Sequence, residues 1–342
     1  MAEQPALSLD GATKDYGHGR GVFDEQLDVD QGSVVGFLGA NGAGKTVTMR
    51  MLMGFIRPDR GAACIAGLDC FRDRAAVQTR VGYLPGEVSC PTDMTGIAFL
   101  NFMTALRADG AHVAHGRRAV EARMGELIDR FDLDPSARIG RMSKGTRQKV
   151  AIVAAFMGSP DVLLLDEPTS GLDPLMQERF VELVREERAR GATVFLSSHM
   201  FPEVERTCDR VAFLKAGHIV GVEDMAAVRA ARARTFLITF ADAAEAGRYR
   251  AAHPEATVPA AEGTGREIVT SHDVAANMSL TVRVSGTVSG FVKDLAEYRV
   301  ADLASREQSL EDMFLHLYGD RETGGGGTNG MTGALTGKED AR

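Results

Sequence analysis

Apolar and polar positions follow two different periods along the first part of the chain. Short apolar or alternating runs predict strands, and they lie at residues 6–9, 22–29, 33–38, 162–165, 193–197 and 211–215. Helical spacing predicts helices at 47–55 and 177–190, and it recurs through a long stretch at 92–156. This alternation of strands and helices predicts an α/β sheet with helices on its faces and a helical insert at about 88–158.

The pattern changes near residue 225. Residues 225–234 are rich in Ala and Arg and predict a helix or hinge, residues 235–240 and 280–284 alternate as strands, and residues 308–317 predict a final helix. We therefore expect an α/β domain over 5–222 and a small C-terminal α+β accessory domain over 223–318. The Gly-rich tail at 319–342 has too few apolar residues for a core, and we expect it to be disordered.

Composition limits the possible partners. The 342 residues carry 39 Lys and Arg against 47 Asp and Glu, a net charge of −8, which argues against a broad nucleic-acid surface. No apolar run approaches the ~18 residues that a membrane span needs, and the first ten residues do not resemble a signal peptide. A role at a membrane would therefore need a partner that carries the spans.

Cysteine and histidine spacing gives no metal pattern. None of the cysteines forms a CxxC pair, so we expect reduced thiols in a cytosolic protein; they are Cys64, Cys70, Cys90 and Cys208. His112 and His115 are three residues apart, which favours one solvated helix face over a metal site.

The segment GANGAGKT, residues 39–46, follows the predicted strand at 33–38 and fits the pattern G-x-x-x-x-G-K-[ST]. Glycine allows backbone amides to form a concave ring around phosphate oxygens, and the helix that follows adds its positive end. We expect this ring to come from Gly39, Ala40, Asn41, Gly42, Ala43 and Gly44. Lys45 would contact the β- and γ-phosphates of a nucleotide, and the Thr46 hydroxyl would bind Mg²⁺. A plain glycine turn is the alternative; the flanking strand and helix argue against it.

Two acids, Asp166 and Glu167, follow the continuously apolar run 162–165. Such a strand, buried on both faces, places them at the carboxyl edge of a sheet, where ligands bind in open α/β folds. Asp166 can hold Mg²⁺, and Glu167 can orient or deprotonate the water that attacks the γ-phosphate. The alternative is that the two acids only cap a strand at the surface.

A third motif, MSKGTRQ at 142–148, starts with a good helix cap in Ser143. Together with the phosphate loop and DEPTSGLDP at 166–174, it resembles the ATP-binding cassette ATPases over about residues 6–220. In that family this segment is the signature motif, usually closer to LSGGQ. Here Lys144 stands at the first glycine and Thr146 at the glutamine. Without the resemblance, the segment would be simply a capped helix start.

The resemblance implies a head-to-tail pair of identical domains with ATP between them. The phosphate loop of one copy would face Ser143, Lys144 and Gly145 of the other. Asp173 would lie in the loop where the partners meet beside Glu167. ATP is then part of the interface, so hydrolysis separates the two copies.

Further residues match the family by their order along the chain. Tyr16 resembles the aromatic residue that stacks on adenine, although a core or edge tyrosine is the alternative. His199 follows a predicted strand and resembles the switch histidine that contacts the γ-phosphate, against a merely structural histidine. Gly86 stands where the family often has glutamine, and we expect Glu87 to supply the missing contact. Val47 replaces a more common hydroxyl residue.

The predicted chemistry is phosphoryl transfer from ATP to water, with Mg²⁺ as cofactor and with Lys45, Glu167 and His199 as catalytic residues. One cassette and no span favour the ATPase subunit of a transporter, docked on a separate permease at the inner face of the cell membrane. Residues 308–319 look like the closing segment of cassettes that serve ABC-2 exporters, although packing of the accessory domain also explains them. A ribosome-associated factor would typically have two cassettes, and a DNA-maintenance ATPase a long coiled-coil insert.

Overall fold

The computed structural model of the chain describes residues 4–108, 116–231, 233–253, 266–269, 278–285 and 288–307. His112, His115, the predicted closing helix at 308–317 and the predicted tail at 319–342 lie outside the described residues. Three sheets organise the described part: a central six-stranded sheet and two four-stranded sheets.

The central sheet has the strand order β10-β9-β3-β8-β7-β6. All neighbours pair in parallel except β10, which runs antiparallel to β9. Its strands are β3 (Val34–Gly39), β6 (Val81–Leu84), β7 (Val162–Asp166), β8 (Thr193–Ser198), β9 (Arg210–Lys215) and β10 (His218–Asp224). The predicted α/β class is confirmed. β6 and β10 are absent from the sequence prediction; β6 has only four residues, and β10 is largely exposed or half-buried.

A second sheet lies over one face of the central sheet and has the order β2-β1-β4-β5. Its strands are antiparallel: β1 (Leu7–Asp15), β2 (Gly21–Val29), β4 (Arg60–Ile65) and β5 (Leu68–Asp69). The helices α1 (Lys45–Leu52) and α2 (Arg74–Arg80) accompany it. Val35 and Phe37 of β3 share one core with Leu7 and Leu9 of β1. This layer covers one face of β3.

Helices cover the opposite face, where Leu38 of β3 belongs to a second core. They are α3 (Gly96–Ala108), α4 (Gly116–Arg130), α5 (Lys144–Phe156), α6 (Pro174–Ala189) and α7 (Phe201–Thr207), with a 3-10 turn at Ile139–Arg141. The predicted helical stretch at 92–156 is therefore three helices with a turn before the last. Within the described ranges, no helix is both long and apolar enough to span a bilayer.

A third, separate sheet follows the helix α8 (Met225–Ala231) and has the antiparallel order β12-β13-β11-β14. Its elements are β11 (Ala233–Phe240), α9 (Ala243–Ala252), β12 (Arg266–Val269), β13 (Ser279–Ser285), α10 (Val288–Leu295) and β14 (Val300–Glu307). The predicted strands at 235–240 and 280–284 are confirmed within β11 and β13. Phe236, Phe240 and Tyr249 are buried in a core of its own, beside Phe291 of α10.

Candidate functional site

The glycine-rich loop joins β3 to α1. As expected from its sequence, two of its glycines have backbone conformations with positive φ. Gly42 has φ +82° and Gly44 has φ +122°, both in the region that favours glycine. A Cβ on Gly44 would lie 2.5 Å from Val22 Cγ1, so β2 packs directly behind the loop. The loop is also held by the β9–β10 turn, where Gly217 N donates a 2.8 Å hydrogen bond to the Ala43 carbonyl. The loop is therefore a rigid concave backbone that opens at the start of α1.

Lys45 is folded into this loop and is only 6% exposed. Its Nζ donates to the Gly39 carbonyl at 2.6 Å and to the Ala40 carbonyl at 3.3 Å. The same nitrogen lies 3.1 Å from Glu167 Oε1, as an ion pair. One buried cation therefore links the phosphate loop to the acid at the end of β7.

Thr46 and Asp166 meet although they are 120 residues apart in the chain. Thr46 Oγ1 donates to Asp166 Oδ2 at 2.8 Å, and Ser197 Oγ of β8 donates to Asp166 Oδ1. Asp166 is 1% exposed. A Cβ on Gly86 would lie 3.1 Å from Asp166 Oδ2, so the segment after β6 also closes on this carboxylate. The Thr46 hydroxyl and a carboxylate oxygen of Asp166 therefore lie side by side at the start of α1.

Glu167 has φ +49°, a left-handed backbone that is strained for a residue with a side chain. Its backbone N donates to the Ser197 carbonyl at 3.1 Å, which holds this conformation. Its Oε2 lies 2.6 Å from His199 Nδ1, and the histidine ring is about half exposed. The strained backbone turns the carboxylate away from the strand direction, towards Lys45 on one side and His199 on the other.

These groups open into a cavity of about 490 Å³ at the carboxyl edge of the central sheet. It is lined by Asn41, Thr46, Arg50, Tyr83, Pro85, Gly86, Glu87, Lys144, Asp166, Glu167, Ser170 and His199. Seven of these were predicted as site residues, including Glu87 and Lys144. The structure therefore brings three separate motifs of the sequence, and the segment that carries Glu87, to one cavity.

Arg50, Tyr83 and Ser197 were not predicted. Arg50 lies four positions after Thr46 on α1, so helical spacing alone could have placed it on the same face. Tyr83 lies on β6, which the sequence prediction lacks, and burial raises its pKa to about 12. Nothing local marks Ser197, because its role depends on pairing between β7 and β8.

Three further predicted site residues, Ser143, Gly145 and Asp173, lie at the starts of α5 and α6 and do not line the cavity. Lys144, between Ser143 and Gly145, does line it. Ser143 Oγ accepts from Thr146 N at 3.1 Å and caps α5 as predicted. Asp173 likewise caps α6. A Cβ on Gly145 would lie 2.6 Å from the Gly171 carbonyl, so α5 packs closely on the loop after Glu167.

Tyr16 does not line the cavity. It follows β1, it is 47% exposed, and the Lys14 ammonium lies 5.9 Å from its ring centroid. It is thus an exposed aromatic residue between β1 and β2, and not a core tyrosine.

The site fits a Mg²⁺–nucleotide in its chemistry. Among the described residues, no group of three or more His, Cys, Asp or Glu side chains could hold a metal ion by itself. Mg²⁺ in phosphoryl-transfer sites is typically held by one or two protein oxygens, with phosphates and waters completing the shell. Thr46 Oγ1 and Asp166 Oδ2 are such a pair, beside amides that a phosphate chain can reach.

Comparisons with known proteins agree with this geometry. The family model for the ABC transporter matches residues 23–170. The daunorubicin resistance ATP-binding protein DrrA3 of Streptomyces coeruleorubidus is 33% identical over 321 residues, which cover 92% of this chain and 96% of that protein. The ABC transporter ATP-binding protein NatA of Bacillus subtilis is 35% identical over 204 residues, covering 59% of this chain and 80% of NatA.

Solved structures give the same result for the fold. A structure described as the ATP-binding subunit of an ABC transporter superposes with a TM-score of 0.60 at 29% identity. The match covers 66% of this chain and 92% of that one. The likeness to the streptomycete protein extends further along the chain, through the third sheet.

Proposed function

The chain belongs to the ABC transporter family as an ATP-binding subunit, and from this premise we propose that it powers an exporter whose membrane-spanning part is a separate permease. As a member of this family it is an ATPase whose hydrolysis is coupled to transport. A daunorubicin resistance protein matches it along almost its whole length, which supports export of a drug, antibiotic or lipid-like cargo. The chain then works in the cytoplasm, at the inner face of the membrane.

The observation that carries the site assignment is the convergence of Lys45, Thr46, Asp166, Glu167 and His199 at one sheet edge. The loop amides and Lys45 bind the phosphates, and Thr46 and Asp166 hold Mg²⁺. When bound, Mg²⁺ neutralises charge that develops on the phosphate oxygens. Glu167 orients the attacking water and accepts its proton. His199 holds Glu167 in place from the solvent side.

We propose that the active form is a pair of identical chains with ATP between them. Ser143, Lys144 and Gly145 begin α5, and Asp173 begins α6, so both segments present helix N-termini, which favour anions. Lys144 adds a cation beside them, and its Nζ donates to Ser170 Oγ at 2.9 Å. A second copy would set these groups against the γ-phosphate. Tyr16 would contact the adenine.

This chain has an apolar groove on which the permease could dock. A cavity of about 610 Å³ lies between the end of α1 and the helix α3, and its apolar lining includes Met53, Phe55, Phe99, Met103 and Leu106. Phe55 is 53% and Leu106 58% exposed. Tyr83 and Pro85 line both this groove and the nucleotide cavity. A permease helix seated here would therefore touch the segment that closes on Asp166.

Glu167→Gln tests the core of this proposal. The variant keeps the shape of Glu167 but cannot accept a proton, so ATP should hold two chains together without being hydrolysed. Size-exclusion chromatography with MgATP should show a dimer for Glu167→Gln and none for Glu167→Gln combined with Lys45→Ala. A Glu167→Gln chain that stays monomeric at saturating MgATP contradicts the ATP-bridged pair. Co-purification from native membranes identifies the partner: a multi-spanning protein supports the exporter, and ribosomes or DNA refute it.

A further inference from the structure

Glu203 is a buried acid that the proposed reaction does not use. It lies on α7, directly behind the turn that carries His199, and it is 8% exposed. Its Oε2 accepts a 2.6 Å hydrogen bond from Ser198 Oγ. Its Oε1 is buried as well, and the buried Thr169 side chain lies beside this carboxyl. Burying a carboxyl away from water is costly, so its presence calls for a reason.

Ser198 is the direct link from Glu203 to the histidine turn. Ser198 is fully buried at the end of β8, and His199 follows it. Its single hydroxyl proton goes to Glu203, while its oxygen accepts a 2.9 Å hydrogen bond from Met200 N. The turn that carries His199 is thus closed around one hydroxyl, and Glu203 fixes the direction of that hydroxyl.

Glu203 also faces the loop that carries Glu167. Burial raises its pKa to about 7; the Ser198 hydrogen bond and the neighbouring Thr169 side chain lower it, the Glu167 charge raises it and His199 lowers it. Thr169 is only two residues after Glu167 and is itself buried. The acid therefore sits where the Glu167 loop and the His199 turn come together.

The Glu167 loop is held from its other side by the signature helix. Gln148 Nε2 of α5 donates to the Pro168 carbonyl at 2.8 Å, within the core. Lys144 reaches Ser170 one turn earlier on α5. The short segment 168–171 is thus enclosed between α5 and the Glu203 side of α7, and its position sets where Glu167 points.

We propose that Glu203 is a positioning residue for ATP hydrolysis, which holds the His199 turn against the Glu167 loop without touching nucleotide. The inference rests on the roles proposed above for Glu167 and His199. Among the described residues, Glu203 makes no hydrogen bond or ion pair with the phosphate-loop residues Lys45 and Thr46. Its loss should therefore change the rate of the chemical step and leave ATP binding intact.

The test compares Glu203→Ala, Glu203→Gln and Ser198→Ala in the purified full-length chain. The readouts are kcat for phosphate release, affinity for a fluorescent ATP analogue, and thermal unfolding. Glu203→Ala should lower kcat by about 10- to 100-fold, because misplacing a catalytic group by about 1 Å can cost that much. Glu203→Gln retains an acceptor for Ser198 and should restore most of the rate. Ser198→Ala removes the same link from the opposite end and should resemble Glu203→Ala.

Thr207→Val is the matched control. Thr207 lies on the same short helix, is buried, and donates through Oγ1 to the Glu203 carbonyl, away from the His199 turn. It should lower the unfolding temperature without lowering kcat. The inference is overturned if kcat falls only in step with the unfolding temperature across all four variants, if ATP affinity falls together with kcat, or if Glu203→Gln is as slow as Glu203→Ala. Glu167→Gln distinguishes failure of the proposed catalytic site from failure of the Glu203 inference. If Glu167→Gln hydrolyses ATP normally, the proposed site is wrong, whatever the Glu203 variants show.

Discussion

His199 Nδ1 lies 2.6 Å from Oε2 of Glu167, and the other oxygen of that carboxylate lies 3.1 Å from Lys45 Nζ. The acid is therefore held between two nitrogen groups that come from opposite ends of the cassette sequence. Because its backbone is also left-handed, with φ +49°, its direction is fixed before any substrate arrives. Preorganisation of this kind lowers the cost of aligning a water with a phosphate.

Replacing His199 should slow hydrolysis more than it weakens binding. His199→Ala removes the contact that orients Glu167, and general-base assistance is worth ~10²–10⁴ in rate. We expect kcat to fall within that range, with little change in affinity for an ATP analogue. His218→Ala is the control, because His218 is an exposed residue of β10 that stacks on Phe23, with ring centroids 5.4 Å apart. Equal losses in the two variants would contradict the role of His199.

Two glycines of the phosphate loop should differ in their tolerance of alanine. Both have positive φ, which costs a residue with a side chain about 1–2 kcal/mol. A Cβ on Gly44 would also strike Val22 at 2.5 Å, whereas a Cβ on Gly42 meets nothing within 4 Å. Gly44→Ala should therefore abolish nucleotide binding, and Gly42→Ala should only weaken it. Titration with a fluorescent ATP analogue checks this order, and the reverse order would contradict the observed packing.

Stability should fall with rising pH in part because of a buried acid behind the phosphate loop. Glu25 is fully buried, Thr48 Oγ1 donates to it at 2.9 Å, and burial raises its pKa from 4.5 to about 8. The folded chain therefore prefers the protonated form. That contribution is complete below pH 4.5 and is lost as pH rises through about 8, at up to about 1.4 kcal/mol per pH unit.

Glu25→Gln should remove the Glu25 part of this slope, since glutamine has no proton to lose. The part due to Glu203, whose pKa burial raises to about 7, should remain. Denaturant unfolding at pH 6 and pH 8.5 should show the variant gaining stability relative to the parent at the higher pH. Glu182→Gln changes an exposed acid on α6 and should keep the parental slope. A slope as steep in Glu25→Gln as in the parent would contradict the contribution of Glu25.

Glu87 should matter for Mg²⁺-dependent hydrolysis if it replaces the glutamine found in related cassettes. It lines the nucleotide cavity next to Gly86, whose backbone abuts Asp166. Glu87→Ala should lower hydrolysis and raise the Mg²⁺ concentration needed for half-maximal activity. Asp93→Ala removes an exposed acid outside the cavity lining and should leave both unchanged. Full ATPase activity and full transport in Glu87→Ala would rule this role out.

Charging the apolar groove should separate binding of the permease from ATP hydrolysis. Phe55→Asp and Leu106→Asp each place a carboxylate among exposed apolar groups, at a desolvation cost once a partner covers them. We expect both variants to lose co-purification with the permease and to retain the basal ATPase of the isolated chain. Val292→Asp alters an equally exposed residue of α10 in the third sheet's domain and should retain the partner.

Short sequence patterns predicted those parts of the site whose structure depends only on neighbouring residues in the chain. The glycine spacing at 39–46 predicts the loop because backbone conformation is decided within a few residues. The apolar run before Asp166 predicts a buried strand for the same reason, and Ser143 predicts the start of α5. The predicted helical stretch at 92–156 is present too, but as the separate helices α3, α4 and α5.

The sequence by itself determined which chemistry the chain can perform, since a phosphate cradle, a metal-binding acid and a general base each require particular residue types beside particular elements. Only the tertiary structure decided their distances and their supports. The pairing of β7 with β3 through β8 is what brings Asp166 to Thr46, and strand order in a parallel sheet is not encoded in any one segment. The same packing buries Glu25 and Glu203, whose unusual protonation is caused by loss of water and so has no signature in the linear chain.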